Sequence, residues 1–190
     1  MTDDEILALE RREGLPDALR VLVAELPRGT WEAHPDFSPL TRFWLQRHLM
    51  FRDALHRLRG DTRAFLDGRA DPRAYGRQTA RLAQFVLQEL HGHHTIEDHH
   101  YFPVLQGLDP RLEAGFTLLD ADHHALDGHM AGLAEDTNAA LKGLAGADPR
   151  AGAGRLDTRL AEFDRFLDRH LTDEEDLVVP VILRYAPEIG

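Results

Sequence analysis

Cysteine is absent from this chain of 190 residues. Its absence excludes disulfide bonds, thiolate metal ligands and a cysteine nucleophile. No apolar run approaches the length needed to span a membrane. The first five residues are acidic and lack the basic start and apolar core of a signal peptide. We therefore expect a cytoplasmic protein with one domain, or one domain with an extension.

Basic residues are also scarce, with 22 Lys and Arg against 33 Asp and Glu, a net charge of −11. This charge argues against nucleic acid or an anionic membrane as a partner. β-Branched residues are few, and Ala, Leu, Arg and Glu dominate, which predicts an all-α protein. No catalytic triad, phosphate-binding loop or nucleotide fingerprint is present. The twelve histidines are unusual, and imidazole suits iron, zinc or copper.

One motif occurs twice, at residues 93–103 and 170–180. Each copy has a His, a Glu four residues later, a second acid, and a Pro ten residues after the His. The pairs are His93 with Glu97 and His170 with Glu174. Because positions i and i+4 share a helix face, each copy can direct an imidazole and a carboxylate to one point. Two such helices facing each other could hold two metal ions.

Turn-forming residues divide the chain into predicted helices. An N-terminal extension, 1–39, contains a helix at 3–26 with a break at 14–16, followed by a loop. Residues 40–190 form the main domain, in which the long helices are predicted at 40–66, 73–102, 111–143 and 154–179. Short connections between amphipathic helices favour an up-down-up-down four-helix bundle. We expect the extension to cap the bundle or to form a homodimer contact.

Each long helix carries an apolar stripe at spacings of three and four residues, and every stripe contains a histidine. The stripes comprise Trp44, His48, Phe51, Leu55, Leu58 and Phe65; Leu82, Val86, Leu90, His93, Glu97, His100 and Val104; Phe116, Leu119, His123, Leu126, Met130 and Leu133; and Leu156, Leu160, Phe163, Leu167, His170, Glu174, Leu177 and Val181. Polar groups in a core need partners, and so many are hard to satisfy without a cation.

The stripes predict a set of metal ligands with nitrogen and oxygen donors. These are His48, His93, Glu97, His123, His170 and Glu174. The two glutamates can bridge two ions, and without metal they would repel each other. Imidazole and carboxylate together suit iron, manganese or zinc.

The chain at this point resembles the hemerythrin-like family of HHE cation-binding domains, over about residues 40–182. The resemblance rests on one His of the first long helix, His48, on the His-x-x-x-Glu of the second and fourth, and on Asp122-His123 in the third. It implies a four-helix bundle with a non-heme di-iron centre, bridged by the two glutamates. It also implies that the six residues listed above are the iron ligands.

The chain departs from the oxygen carriers of this family on the third long helix. Carriers have a second ligating His one turn after the first, whereas Asp127 follows His123 here. We therefore expect a more open or more carboxylate-rich site that does not carry O₂ reversibly. Glu174 and Glu175 are both available as the acid of the fourth helix. His94, His100 and His124 remain open as further ligands or as neighbours of the site.

Three functions fit such a site. The first is a metalloprotein that binds or reacts with O₂, NO or peroxide, for sensing, storage or detoxification. The second is a di-iron oxidoreductase with catalase- or peroxidase-like activity. The third is a regulatory module whose metal state a partner reads, although the chain shows no second domain for this purpose.

Overall fold

The computed structural model describes residues 7–188, and within this range the regular structure is entirely helical. This confirms the all-α prediction. The α-helices are α1 Val21–Glu25, α2 Pro39–Leu66, α3 Pro72–Ile96, α4 Phe102–Leu105, α5 Glu113–Gly143 and α6 Pro149–Tyr185. A π-helical turn, Glu97–Tyr101, follows α3, and 3-10 turns occupy Asp17–Leu19, Arg28–Ala33 and Pro110–Leu112. None of the described helices has the length and apolar character that a membrane crossing requires.

The helical bundle divides into two compact units, each containing a part of all four long helices. The first unit comprises residues 1–48, 93–125 and 168–190, and the second comprises 49–92 and 126–167. Along the chain, α2 and α5 start in the first unit and end in the second, whereas α3 and α6 do the reverse. All six predicted ligands belong to the first unit.

The core of the first unit combines the predicted stripes with side chains of the N-terminal segment, residues 7–38. Leu15, Leu19, Leu22 and Trp31 are buried in one apolar cluster with Trp44 and with residues of α4, α5 and α6. The N-terminal segment is therefore part of the core of this unit. The predicted helix at 3–26 is wrong for most of its described part, where the helical residues are Leu7, the turn Asp17–Leu19 and the short α1. Residues 3–6 of that helix lie outside the described range.

The fourth long helix, α6, extends beyond its predicted bounds at both ends. Asp148 accepts hydrogen bonds from the backbone N–H groups of Arg150 and Ala151, and Pro149 takes the first helical position. This cap starts the helix five residues earlier than predicted. At the other end, Pro180 lies inside the helix, which continues to Tyr185. Burial of residues 181–183 stabilises this last turn despite the hydrogen bond that proline removes.

The π-helical turn changes which side chains face the core at the end of the second long helix. The predicted stripe placed His100 and Val104 inside, but both are exposed. Phe102 and Leu105 are buried in their place. A π-turn inserts one extra residue into the helical repeat, so the inward face shifts by one position after Glu97. His100 is therefore excluded as a ligand.

A pair of glycines in α6 tests the packing of the second unit. A Cβ on Gly152 would lie 2.9 Å from Cα of Ala140, whereas a Cβ on Gly154 would meet nothing within 4 Å. We expect Gly152→Ala to destabilise the protein by about 1–3 kcal/mol, because backbone cannot move aside cheaply. Gly154→Ala should stabilise it by roughly 0.5–1 kcal/mol through helix propensity. Urea unfolding of both variants checks this, and equal effects would contradict the packing.

Candidate metal centre

Four of the predicted ligands form one buried group, here called the first donor set. It consists of His48, His93, Glu97 and Glu174, and one donor atom of each lies within 4.8 Å of the others. Nε2 of His48 is 3.0 Å from Nε2 of His93. Nε2 of His93 is also 3.0 Å from Oε1 of Glu97. The same Glu97 oxygen accepts a 2.6 Å hydrogen bond from Nε1 of Trp44, which fixes the carboxylate.

The other two predicted ligands join a residue from outside the prediction to form the second donor set. It consists of His94, His123 and His170, all buried, again with one donor atom of each within 4.8 Å of the others. The His94 and His123 rings are stacked, with centroids 4.1 Å apart. Neither ring nitrogen of His94 has a hydrogen-bond partner among the described residues.

The two glutamates connect the donor sets. Oε2 of Glu174 is 3.5 Å from Nε2 of His48 and 3.5 Å from Nε2 of His170. Glu97 directs one oxygen to each side, because its Oε2 is 3.8 Å from Nε2 of His123. Both carboxylates therefore lie between histidines of the first set and histidines of the second.

In three of the histidines, the ring nitrogen that faces away from the centre is hydrogen-bonded to a carboxylate. Nδ1 of His48 is 3.0 Å from Oε1 of Glu175, and Nδ1 of His123 is 2.7 Å from Oδ1 of Asp98. Nδ1 of His170 is 3.2 Å from Oδ2 of Asp122. A carboxylate there fixes the tautomer with the proton on Nδ1, which leaves a lone pair on Nε2. Metal-binding histidines typically have this arrangement.

This arrangement leaves polar atoms that a bound cation would satisfy. Nε2 of His123 and Nε2 of His170 lie 3.2 Å apart. In the tautomers that their carboxylates select, neither nitrogen carries a proton, so two lone pairs face each other. Both oxygens of Glu174 and Oε2 of Glu97 are buried without a hydrogen-bond partner among residues 7–188. The donors thus fit a pair of divalent cations, which would occupy these lone pairs and offset the negative charge.

Burial shifts the pKa values of these groups towards their neutral forms, and a bound cation would offset this effect for the two glutamates. Burial raises the pKa of Glu174 well above its usual range, and the neighbouring Glu97 carboxylate raises it further. Burial likewise raises the pKa of Glu97. The pKa values of His93 and His94 are lowered, first by burial and then by the surrounding histidines, so both imidazoles are neutral at pH 7. Neutral imidazole is the form that binds a metal.

The sequence predicted the two motif pairs but left open whether His94 joins the donors. Adjacent helical residues point about 100° apart, and an apolar stripe can be at least that wide, so two neighbours can both face a core. The expectation for Asp127 is wrong, because its side chain is exposed and cannot enter the buried set. His124 is exposed as well. Glu175 is buried, and it contacts Nδ1 of His48.

A family model described as the hemerythrin HHE cation-binding domain matches residues 40–182. This range covers α2 to α6 apart from the first residue of α2 and the last residues of α6, and contains every residue of both donor sets. No curated protein and no solved structure matches the chain.

The raised pKa of Glu174 predicts a pH-dependent effect in metal-free protein. A buried carboxyl with a raised pKa binds its proton more tightly when folded, so the ionised group destabilises the fold increasingly as pH rises. Glu174→Gln should therefore raise the melting temperature of chelated protein at pH 8 by roughly 3 °C or more, equivalent to about 1 kcal/mol.

The gain should shrink as pH falls towards the ordinary carboxyl value of 4.5. Glu162→Gln, at a half-exposed site that only pairs with Arg159 at 3.7 Å, serves as the control. A lower melting temperature for Glu174→Gln at pH 8 would show that the charged carboxylate stabilises the metal-free fold.

Proposed function

Because the chain belongs to the hemerythrin HHE cation-binding domain family, we propose that it is a non-heme di-iron protein that binds or reacts with O₂, NO or peroxide. It would serve in sensing, storage or detoxification of these molecules. One observation carries the proposal. Two adjoining buried donor sets share two carboxylates that lie between them. A site for a single ion would not need seven donors.

In this proposal each donor set holds one iron ion. His48 and His93 would hold one ion, His94, His123 and His170 would hold the other, and Glu97 and Glu174 would contribute to both. The iron pair would supply redox electrons and open coordination positions for the small ligand. The same donors also suit manganese or zinc. The chain itself orients the donors, excludes water and holds the imidazole protons on Nδ1.

A small apolar cavity beside the first donor set favours a diatomic ligand. Its volume is about 10 Å³, close to the space of one water molecule. Glu97 and Trp44 line it, together with apolar residues of α2, α4 and α6. A cavity of this size and character excludes large organic substrates and suits O₂ or NO.

A second candidate function is a di-iron oxidoreductase with catalase- or peroxidase-like activity. The observation in its favour is Tyr101, which lines the same cavity next to Glu97. A phenol in this position could donate the proton that peroxide cleavage requires. Peroxide consumption by the iron-loaded protein, reduced in Tyr101→Phe, would support this function over simple binding.

Asp127 gives no reason to exclude reversible O₂ carriage, because it is exposed and does not replace a ligating histidine. His94 instead adds a third imidazole to the second donor set. In this proposal His94, from α3, supplies the imidazole nitrogen that a second histidine of the third long helix supplies in the oxygen carriers. The cytoplasmic location expected from the sequence stays a prediction.

Metal content tests the proposed di-iron centre. Protein from iron-replete cells should contain about two metal ions per chain, mainly iron. Glu97→Ala and Glu174→Ala should each lose metal from both positions, since each carboxylate touches both donor sets. His56→Ala is the control, because His56 is exposed and its Nε2 lies 3.6 Å from Oδ1 of Asp164, away from both donor sets. Elemental analysis that finds one zinc ion per chain would contradict the di-iron assignment.

The role of His94 has its own test. His94→Leu should weaken iron binding in the second donor set, because that set loses one of its three imidazoles, so its iron content after dialysis against a competing chelator should fall below that of the parent. His124→Leu is the matched control, since His124 directly follows His123 in α5 but is exposed. Its Nδ1 contacts the carbonyl of Asp120. Full iron content in His94→Leu would assign His94 to packing against His123.

A further inference from the structure

Two arginines of the N-terminal segment reach the carboxylates that hold candidate metal ligands. Arg12 contacts Asp122, the partner of His170, and Arg28 contacts Glu175, the partner of His48. Both arginines precede residue 40, where the family match begins. This feature therefore belongs to the chain's own extension.

Arg12 is almost completely buried between two helices of the first unit. Its Nη1 donates to Oδ1 of Asp122 at 2.6 Å, its Nη2 donates to Oδ2 of the same residue, and its Nε donates to Oδ2 of Asp173 at 2.8 Å. Asp122 directly precedes His123, and Asp173 directly precedes Glu174. The backbone N–H of Leu15 also donates to Asp173, at 3.1 Å. The segment is thus fixed to the two helices on which three candidate ligands lie.

Arg28 makes a parallel set of contacts with half of its side chain exposed. Its Nη1 donates to Oε2 of Glu175, its Nε donates to Oδ1 of Asp176 at 2.7 Å, and its Nη2 donates to the carbonyl of Thr172 at 2.8 Å. The guanidinium also lies over the ring of Trp31, 5.1 Å from its centroid. The other oxygen of Glu175 faces Nδ1 of His48 at 3.0 Å.

We propose that Arg12 and Arg28 are positioning residues of the metal centre, so that docking of the N-terminal segment and metal binding stabilise each other. This inference rests on the proposed function. Each arginine fixes a carboxylate, each carboxylate fixes an imidazole with its lone pair on Nε2, and each Nε2 faces the centre. Carboxylates that hold a ligating histidine commonly alter metal affinity about 10–100-fold when they are replaced, and the two arginines would act through such carboxylates.

The coupling must act in both directions. If the docked segment favours the binding geometry, metal must favour the docked segment by the same factor. Metal should therefore protect the segment from proteolysis. Arg20 offers the cleavage point, because it is exposed and lies between the two positioning residues.

The test uses full-length protein and Co²⁺, whose visible absorption reports both binding and coordination geometry. Arg28→Ala is the main variant, because Arg28 is half-exposed and its loss leaves the core intact. We expect its Co²⁺ affinity to fall about 10-fold, the low end of the range for the carboxylates through which the arginine acts, while the melting temperature without metal stays close to that of the parent. Arg20→Ala is the control and should bind Co²⁺ like the parent. Arg12→Ala leaves buried carboxylates unpaired and could fail to fold, so it is not used.

A double-mutant cycle separates positioning from general electrostatics. Glu175→Gln should weaken Co²⁺ binding, and adding Arg28→Ala to it should weaken binding little further, because the arginine acts through Glu175. Trypsin cleavage at Arg20 should slow when Co²⁺ is added to the parent, and slow less in Glu175→Gln.

Two outcomes overturn the inference in different ways. If the parent binds Co²⁺ and Arg28→Ala binds it equally tightly, the segment has no positioning role while the proposed function stands. If the parent binds no metal at all, both fail together. If Arg28→Ala and Glu175→Gln weaken Co²⁺ binding equally and their effects add in the double mutant, the arginine acts through its charge at a distance and not through Glu175.

Discussion

The constraint that organises the first unit is the burial of seven metal-type donors around one centre. In the selected tautomers, the lone pairs of His123 and His170 face each other at 3.2 Å, and the oxygens of Glu174 have no hydrogen-bond donor among residues 7–188. A hydrophobic core alone would not tolerate this arrangement, because each unsatisfied polar group costs free energy. Its presence makes sense when cations complete it. The long helices then serve to bring donors that are far apart in sequence to one point.

Three carboxylates outside the donor sets orient the histidine rings of this centre. Asp98, Asp122 and Glu175 hold the outer nitrogen of three different histidines, so the inner nitrogens keep their lone pairs. Burial raises the pKa of Asp122, and the hydrogen bonds from Arg12 act in the opposite direction by stabilising its charged form. These carboxylates therefore link the donor atoms to the N-terminal segment.

Much of the centre could be predicted from sequence because helical periodicity determines which side chains share a face. The i, i+4 spacing placed Nε2 of His93 3.0 Å from Oε1 of Glu97, and Nε2 of His170 3.5 Å from Oε2 of Glu174, as the shared helix face predicts. Periodicity failed where the helix departs from its regular repeat. The π-helical turn Glu97–Tyr101 moved the inward face by one residue, so the expected burial of His100 was wrong.

Other features could not be predicted because they depend on contacts between distant parts of the chain. His94 lies in α3 and joins the second donor set because its ring stacks on that of His123, which lies in α5. Arg12 reaches Asp122 across 110 residues of sequence, and nothing local marks it as more than a surface charge. The early start of α6 did have a local signal, the Asp148 cap followed by Pro149, which the surrounding glycines and alanines obscured.

The central claim is that two iron ions lie within the two donor sets. A crystal of the iron-loaded protein, measured with X-rays just above and just below the iron absorption edge, tests it most directly. We expect two anomalous peaks in each chain, one among His48, His93, Glu97 and Glu174 and the other among His94, His123 and His170. A single peak, or peaks outside these side chains, would contradict it.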